Sequence, residues 1–313
     1  MKQRIVRACI ILAVIAIAIS LVVTAGYLYA KTAAQAPDVA SGPLLSGNSA
    51  QSSKEPAFSI HFFDVGEADS ALVACDGHYM LIDGGSPGNS SFLYAYLQRN
   101  QIDHLDYIVC SHAHSDHVGG LAGALNYADV DVAYAPVTDY DSRAFQSFVR
   151  YLDAQDKAIT VPSPGDSFRL GRAEAAILAP IDMSLAEADM NNSSIILRIE
   201  FGNTSFLFTG DAETEEEASV LLAGTNVAST VLKVGHHGSY SSTSEAFLAA
   251  VAPEYAVISV GADNEYGHPH LGPLSRLQNV CKAVYRTDEN GEIVCWSDGE
   301  TVTFAIEKSP AGN

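Results

Sequence analysis

Positive charge is what this chain has least of. Its 313 residues hold 17 lysines and arginines against 37 aspartates and glutamates, a net charge of −20. Three of the 17, Lys2, Arg4 and Arg7, precede a long apolar run, and no acidic residue occurs before Asp38, so 37 acidic and 14 basic residues remain for the rest. No Lys/Arg cluster appears among them, which argues against the basic patch that grips long duplex DNA. Cysteine is scarce too. The five, Cys9, Cys75, Cys110, Cys281 and Cys295, have no metal-ligand spacing, which excludes a thiolate metal site. Internal repeats are absent. Long hydrophobic runs are also lacking, with one exception, Ala8 to Ala30, so no bundle of channel-forming helices is expected.

That exception is a charge-free stretch of 23 positions, enough for a bilayer core, which needs about 20. The positive residues before it place the N-terminus in the cytoplasm and the remainder outside. The preferred reading is a retained single-pass anchor over 1–30 in the cell membrane. A cleaved secretory signal competes with it, since Ala34-Gln-Ala36 has the form of a cleavage site, although Pro37 disfavours cutting there. Residues 31–56, rich in Ala, Ser, Gly and Pro, read as a flexible linker. A catalytic domain is expected over 57–308, and a polar tail over 309–313.

Chemistry concentrates at Ser111-His-Ala-His-Ser-Asp-His-Val-Gly-Gly120, directly after the apolar run Leu105-Asp-Tyr-Ile-Val-Cys110. Alternate side chains of an extended segment share a face, so His112 and His114 can meet at one point, with Asp116 and His117 turned toward a second. Imidazole and carboxylate are the ligands of zinc-like divalent cations. Thr209-Gly-Asp211 follows the strand-like run Thr204-Ser-Phe-Leu-Phe208, so Asp211 sits at a strand end where its two oxygens can bridge two cations. Val231-Leu-Lys-Val-Gly-His-His-Gly-Ser239 adds paired histidines between glycines. Neighbouring side chains diverge, so one of the pair is the ligand: His237 is favoured, with His236 facing the substrate. Lys233 reads as a solvated strand residue outside the site.

Strands are expected over 59–63, 71–74, 79–82, 107–110, 195–200 and 231–234. Helices fit 92–99, 117–127, 143–154, 213–222, 244–251 and 274–281. Periodicity alone specifies only an α/β fold.

In their order along residues 58 to 306, these motifs resemble metallo-β-lactamase-fold hydrolases, and in particular the extracytoplasmic metallo-β-lactamase-like domain of ComEC-type competence proteins. Phe63-Asp-Val-Gly-Glu-Ala-Asp-Ser70 and Leu81-Ile-Asp-Gly-Gly85 resemble the group's first two motifs. Asn191-Asn-Ser-Ser194, Thr209-Gly-Asp211, Gly235-His-His-Gly-Ser239, Tyr266-Gly-His-Pro269 and Tyr285-Arg-Thr-Asp288 resemble its later ones. The resemblance implies a four-layer αββα sandwich holding two divalent metal ions. His112, His114 and Asp211 would serve one, and Asp116, His117, Asp211 and His237 the other. Three departures stand out. Asn191-Asn192 occupies the region where the wider superfamily has a further histidine. His114 stands where competence-type members often have aspartate, which favours Zn2+ and leaves Mn2+ as the second choice. Glu67 and Ala68 replace the usual Gln and Gly of the opening motif.

Two cations sharing a carboxylate generate hydroxide from water near neutral pH and stabilise the charge that develops on attack. The expected activity is hydrolysis of a phosphoester, with single-stranded DNA among the candidate substrates. Asp116 is expected to orient the nucleophile, His236 to touch substrate, and His268 to donate to a leaving or phosphoryl oxygen. A metal-binding module of DNA uptake without turnover is the reading from the other class. Hydrolysis of a lactam, lactone or thioester is the alternative within the enzymes. An extracytoplasmic location would permit a Cys281–Cys295 disulfide. No sequence feature identifies a protein partner.

Overall fold

The structure, a computed structural model, describes residues 57–308. The expected anchor, linker and tail lie outside the described residues, and Cys9 with them. Among the described residues no helix is long and apolar enough to cross a membrane.

The chain first lays down β1 (Phe58–Phe62), β2 (Ala71–Cys75), β3 (His78–Ile82), β4 (His104–Val109), β5 (Asp129–Tyr134) and β6 (Ile159–Thr160). It continues with β7 (Ser167–Leu170), β8 (Ala173–Ile177), β9 (Leu197–Phe201), β10 (Thr204–Phe208), β11 (Val231–Lys233), β12 (Tyr255–Ile258) and β13 (Ala283–Arg286), and ends with β14 (Ile293–Ser297) and β15 (Val302–Ile306). One sheet has the order β15-β14-β1-β2-β3-β4-β5-β6, the other β13-β12-β11-β10-β9-β8-β7. Helices α1 (Ser90–Arg99), α2 (Ser115–Val118), α3 (Leu121–Leu125) and α4 (Arg143–Asp153) follow strands of the first sheet. Helices α5 (Thr214–Leu222), α6 (Glu245–Val251) and α7 (Leu271–Val280) follow strands of the second, and α8 (Thr287–Asn290) leads into β14.

The period-two pattern of the strands decides the layering. Phe58, Ile60 and Phe62 of β1 point into a core between the sheets, where they meet Ile199, Phe206 and Phe208. Phe58 stacks on Phe206 with centroids 4.8 Å apart, and Phe62 on Phe208 at 5.8 Å, pairs that add about 0.5–1.5 kcal/mol each beyond their buried area. Leu81 and Ile108 point the other way, toward Leu93, Leu121, Phe145 and Phe148 of the helices over the first sheet. Leu232 and Ala256 do the same on the second sheet, under Val220, Phe247 and Leu277. Two sheets therefore pack face to face, each with helices on its outer side.

This layering corrects two expectations. Cys281 caps the end of α7 and packs on the outer side of the second sheet, whereas Cys295 of β14 points into the core between the sheets. A sheet lies between them, and both are free thiols. The helix expected over 117–127 is divided into α2 and α3 at Gly119-Gly120. There the chain passes so close to Pro87 and Gly84 that only backbone fits: a Cβ on Gly120 would run into the Gly84 carbonyl oxygen. Gly84 N–H donates to the His117 carbonyl at 2.6 Å, which ties the two turns together.

Parallel pairing brings several strand ends to one edge of the molecule. β3, β4 and β5 pair in parallel in the first sheet, and β10, β11, β12 and β13 in the second. The turns after β3, β4, β10, β11 and β12 carry Asp83, His112, Asp211, His237 and Ser259. A crevice outside the carboxyl ends of parallel strands is where α/β sheets usually place ligands.

Replacing Gly120 by alanine is expected to lower unfolding stability by about 1–3 kcal/mol through this overpacking. Gly88→Ala, where an added Cβ meets nothing within 4 Å, should change it by less than about 0.5 kcal/mol. Urea unfolding of the two variants provides the comparison.

Candidate metal centre

Asp211 Oδ2 is the hub of the site. It lies 3.2 Å from His117 Nε2, 3.7 Å from His237 Nε2, 3.8 Å from His236 Nε2 and 3.9 Å from His112 Nε2. Asp116 Oδ2 stands 3.6 Å from His117 Nε2 and 3.4 Å from His237 Nε2. Asp116, His117, Asp211 and His237 thus each direct one ligand atom into a group spanning less than 4.8 Å. Next to this group, His112 Nε2 and His114 Nδ1 face each other 3.0 Å apart.

The residues fit two divalent cations on chemical grounds. His117 Nε2, His237 Nε2 and Asp211 Oδ1 are buried, yet none has a hydrogen-bond partner among the described residues. Such orphans cost about 1–3 kcal/mol each unless something else satisfies them. The other ring nitrogens are committed. Asp83 Oδ2 accepts from His117 Nδ1 at 2.9 Å, and the Ser259 carbonyl from His237 Nδ1 at 2.9 Å. Each bond holds the proton on Nδ1 and turns the Nε2 lone pair to the centre.

Charge points the same way. Asp69, Asp83 and Asp211 are buried and Asp116 half-buried, with Lys233 as the buried cation beside them. Burial pushes His117 and His237 toward neutrality, but Asp211 and the adjoining aspartates outweigh it and carry both well above the ordinary histidine value. Burial alone would raise Asp211 and Asp116, and the surrounding imidazoles draw both below the usual carboxylate range instead. His112 goes the opposite way: burial, reinforced by His117, keeps it neutral, the state of a metal ligand. The cluster calls for more positive charge than its side chains provide, and this is the field of a dinuclear metal site.

His236 and His237 diverge because both occupy the left-handed region, at φ 48° and 51°. His237 turns inward to the cluster. His236 lies 22% exposed on the cleft wall, its Nδ1 3.3 Å from Glu213 Oε1. The two asparagines also divide: Asn192 Oδ1 accepts from Glu213 N at 3.1 Å, whereas Asn191 lines the cleft with its Oδ1 buried and unpartnered. His268 lines the same open cleft of about 330 Å³, together with Glu67, His114, Asp116 and Tyr266. Every residue expected in the site therefore borders one centre.

Several supporting residues were not legible in the sequence, and one was misread. Lys233 is not solvated. It ends β11 on the face of Val231, toward the other sheet, and is 4% exposed. Its Nζ donates to Asp69 Oδ2 at 2.7 Å and to the Val234 carbonyl at 2.9 Å. Asp69 Oδ1 in turn lies 3.4 Å from His237 Nδ1. Burial works against the charge of Asp69, but Lys233 and His237 overcome it and hold the carboxyl at about 2. Asp83 also accepts from Ser111 N and Ser111 Oγ, both at 2.7 Å, which locks the start of the His-x-His turn. Glu67 Oε1 pairs with His268 Nδ1 at 2.7 Å. A sequence signal for Asp83 did exist: like Asp211, it follows an apolar strand and adjoins glycine.

Comparison with known proteins agrees with this geometry. The family model described as "Metallo-beta-lactamase superfamily" matches residues 64–262. The chain is 31% identical over 265 residues to "ComE operon protein 3" of Bacillus subtilis, covering 79% of this chain and 34% of that protein. It is 31% identical over 245 residues to "Recombination protein 2" of Haemophilus influenzae, covering 76% and 29%. It thus spans about a third of the length of these curated relatives. Among solved structures it resembles CmlA, a diiron beta-hydroxylase from Streptomyces venezuelae, with a TM-score of 0.50 and 15% identity over 74% of this chain and 53% of that one. That likeness concerns the fold alone.

Asp83→Asn should weaken zinc affinity about 10–100-fold, the usual effect of removing a ligand's orienting partner, as read by competition with a chromophoric chelator. Lys233→Met is expected to destabilise the fold by about 3–5 kcal/mol by stranding Asp69. The Lys233→Met/Asp69→Asn double variant should regain most of that loss in the same unfolding assay.

Proposed function

The chain belongs to the metallo-beta-lactamase superfamily, and we propose that it is a metal-dependent phosphodiesterase held at the outer face of the cell membrane. The observation that carries the hydrolase reading is the convergence of His112, His117, His236 and His237 on Asp211 Oδ2, which lies 3.2 to 3.9 Å from a ring nitrogen of each. Two divalent cations, Zn2+ ahead of Mn2+ for so nitrogen-rich a donor set, would be held by His112, His114 and Asp211 and by Asp116, His117, Asp211 and His237, where they supply an acidified water and neutralise an anionic substrate.

The chain's own residues then have distinct tasks. Asp83 and the Ser259 carbonyl keep His117 and His237 in the tautomer that presents Nε2. Asp116, 32% exposed on the cleft side, orients the attacking water by accepting a hydrogen bond from it. Glu67 fixes the His268 ring through Nδ1, which turns Nε2 toward the cleft to donate to the leaving oxygen. His236 meets a non-bridging oxygen of the substrate. The narrower choice of a phosphodiester is supported by Asn191-Asn192 in place of a further histidine and by the competence-type relatives. Membrane attachment rests on the charge-free run after Lys2, Arg4 and Arg7.

The purified chain should hydrolyse bis-p-nitrophenyl phosphate when loaded with zinc or manganese, and Asp211→Ala should lower kcat more than about 100-fold, beyond the loss from a ligand's outer partner. The same assay on single-stranded DNA decides nuclease activity. Two bound metals per chain without turnover on either substrate would refute the phosphodiesterase reading.

A further inference from the structure

The cleft is anionic, and among the described residues no lysine or arginine lines it. Ion pairs from these residues therefore do not hold a substrate's flanking phosphates there. A row of aromatic rings leads away from the metal centre instead. Tyr266 stacks on His268 with centroids 5.6 Å apart at 18°, His268 meets His270 at 4.9 Å, and His270 meets Tyr240 at 5.1 Å. The row adjoins the centre at His268, whose ring lies 6.2 Å from that of His237 and 5.7 Å from that of His236. Both tyrosines are largely bare, Tyr266 at 67% exposed and Tyr240 at 76%. The histidines behind them are braced. Asn264 Nδ2 donates to the His268 carbonyl at 2.7 Å, and Asn264 Oδ1 accepts from His268 N at 2.9 Å. His270 N donates to the Gly238 carbonyl at 3.0 Å, and Tyr240 N to His270 Nδ1 at 3.1 Å.

We propose that Tyr266 and Tyr240 form a base-stacking subsite that seats the nucleobases of a single strand flanking the phosphodiester in the cleft. The inference rests on the phosphodiesterase reading and names the groups that select its substrate. A planar ring exposed to solvent suits a nucleobase, and each base–aromatic stack is worth roughly 5- to 150-fold in affinity without sequence preference. His268 stacks behind Tyr266 and His270 meets Tyr240 edge-on, contacts that limit the freedom either ring loses on binding. Stacked bases of a duplex do not offer their faces, so such a subsite reads a single strand.

The test uses the full chain and a fluorescein-labelled octathymidylate with a methylphosphonate backbone, which carries bases but neither backbone charge nor a cleavable diester. An abasic methylphosphonate of equal length is the control, and anisotropy reads both. The base-bearing strand should bind at least about 10-fold tighter. Tyr266→Ala and Tyr240→Ala should each lose about 5-fold or more, with Tyr266→Phe retaining the wild-type value and thermal unfolding unchanged in all three. Equal binding of the two strands, or unaltered affinity in both alanine variants, would overturn the subsite. So would a glycerol phosphate polymer that competes as well as the base-bearing strand. Turnover of bis-p-nitrophenyl phosphate alongside equal binding removes the subsite and keeps the hydrolase. Tyrosine-dependent binding without turnover on any substrate keeps the subsite and removes the hydrolase.

Discussion

Buried negative charge is the constraint on which this structure depends. Asp69, Asp83 and Asp211 sit at 5% exposure or less around one end of the two sheets, where an uncompensated carboxylate carries a penalty of several kcal/mol. Each is answered differently. Asp69 has Lys233, Asp83 has His117 and two donors from Ser111, and Asp211 has imidazoles, two of which, His117 and His237, leave Nε2 without a hydrogen-bond partner among the described residues. A cation shared between those nitrogens and Asp211 satisfies all of them together. A metal ion at Asp211 would thus complete the electrostatics of the fold.

No one element could build this centre. The first sheet contributes Asp83 and the His-x-His-x-Asp-His turn, and the second contributes Asp211, His237 and the Ser259 carbonyl. The two groups meet because both sheets end their parallel strands at the same edge. The core between the sheets, with Phe58, Phe62, Phe206 and Phe208 at its centre, fixes their separation. Gly84 and Gly120 set the close approach between the turns on the first-sheet side. Packing distant from the chemistry thereby controls the spacing of ligands, where a misplacement of about 1 Å costs a large factor in rate.

The opening motif acquires a role in this arrangement. Glu67 holds His268 and also accepts from Gly261 N at 2.8 Å, and Asp69 joins Lys233 to His237. One short turn after β1 therefore braces both the metal side and the cleft side of the centre from across the molecule. Ala68 in this turn has its methyl fully buried. The Glu at position 67 brings a negative charge to His268 that a glutamine could not.

What the sequence determined by itself was whatever lies contiguous along the chain. His112, His114, Asp116 and His117 occupy six positions, and a strand followed by a turn is enough to direct them together, so they were legible before any fold was known. Asp211 and His237 were legible for the same reason, each following its own apolar run. The ordered motifs added the fold itself, whereas periodicity alone stopped at α/β: strands such as Ala173–Ile177, three of whose five residues are alanine, lack the β-branched signal of a strand. Tertiary structure alone decided the partners. Lys233 and Asp69 are 164 positions apart and Glu67 and His268 201 apart, so neither ion pair leaves a local trace, and a lysine at a strand end looks solvated until the opposing sheet closes over it. Cys281 and Cys295 look pairable along the chain and are divided by a sheet in space. Spacing along a chain reports which side chains can share a face, and only the packing of the sheets determines what that face meets.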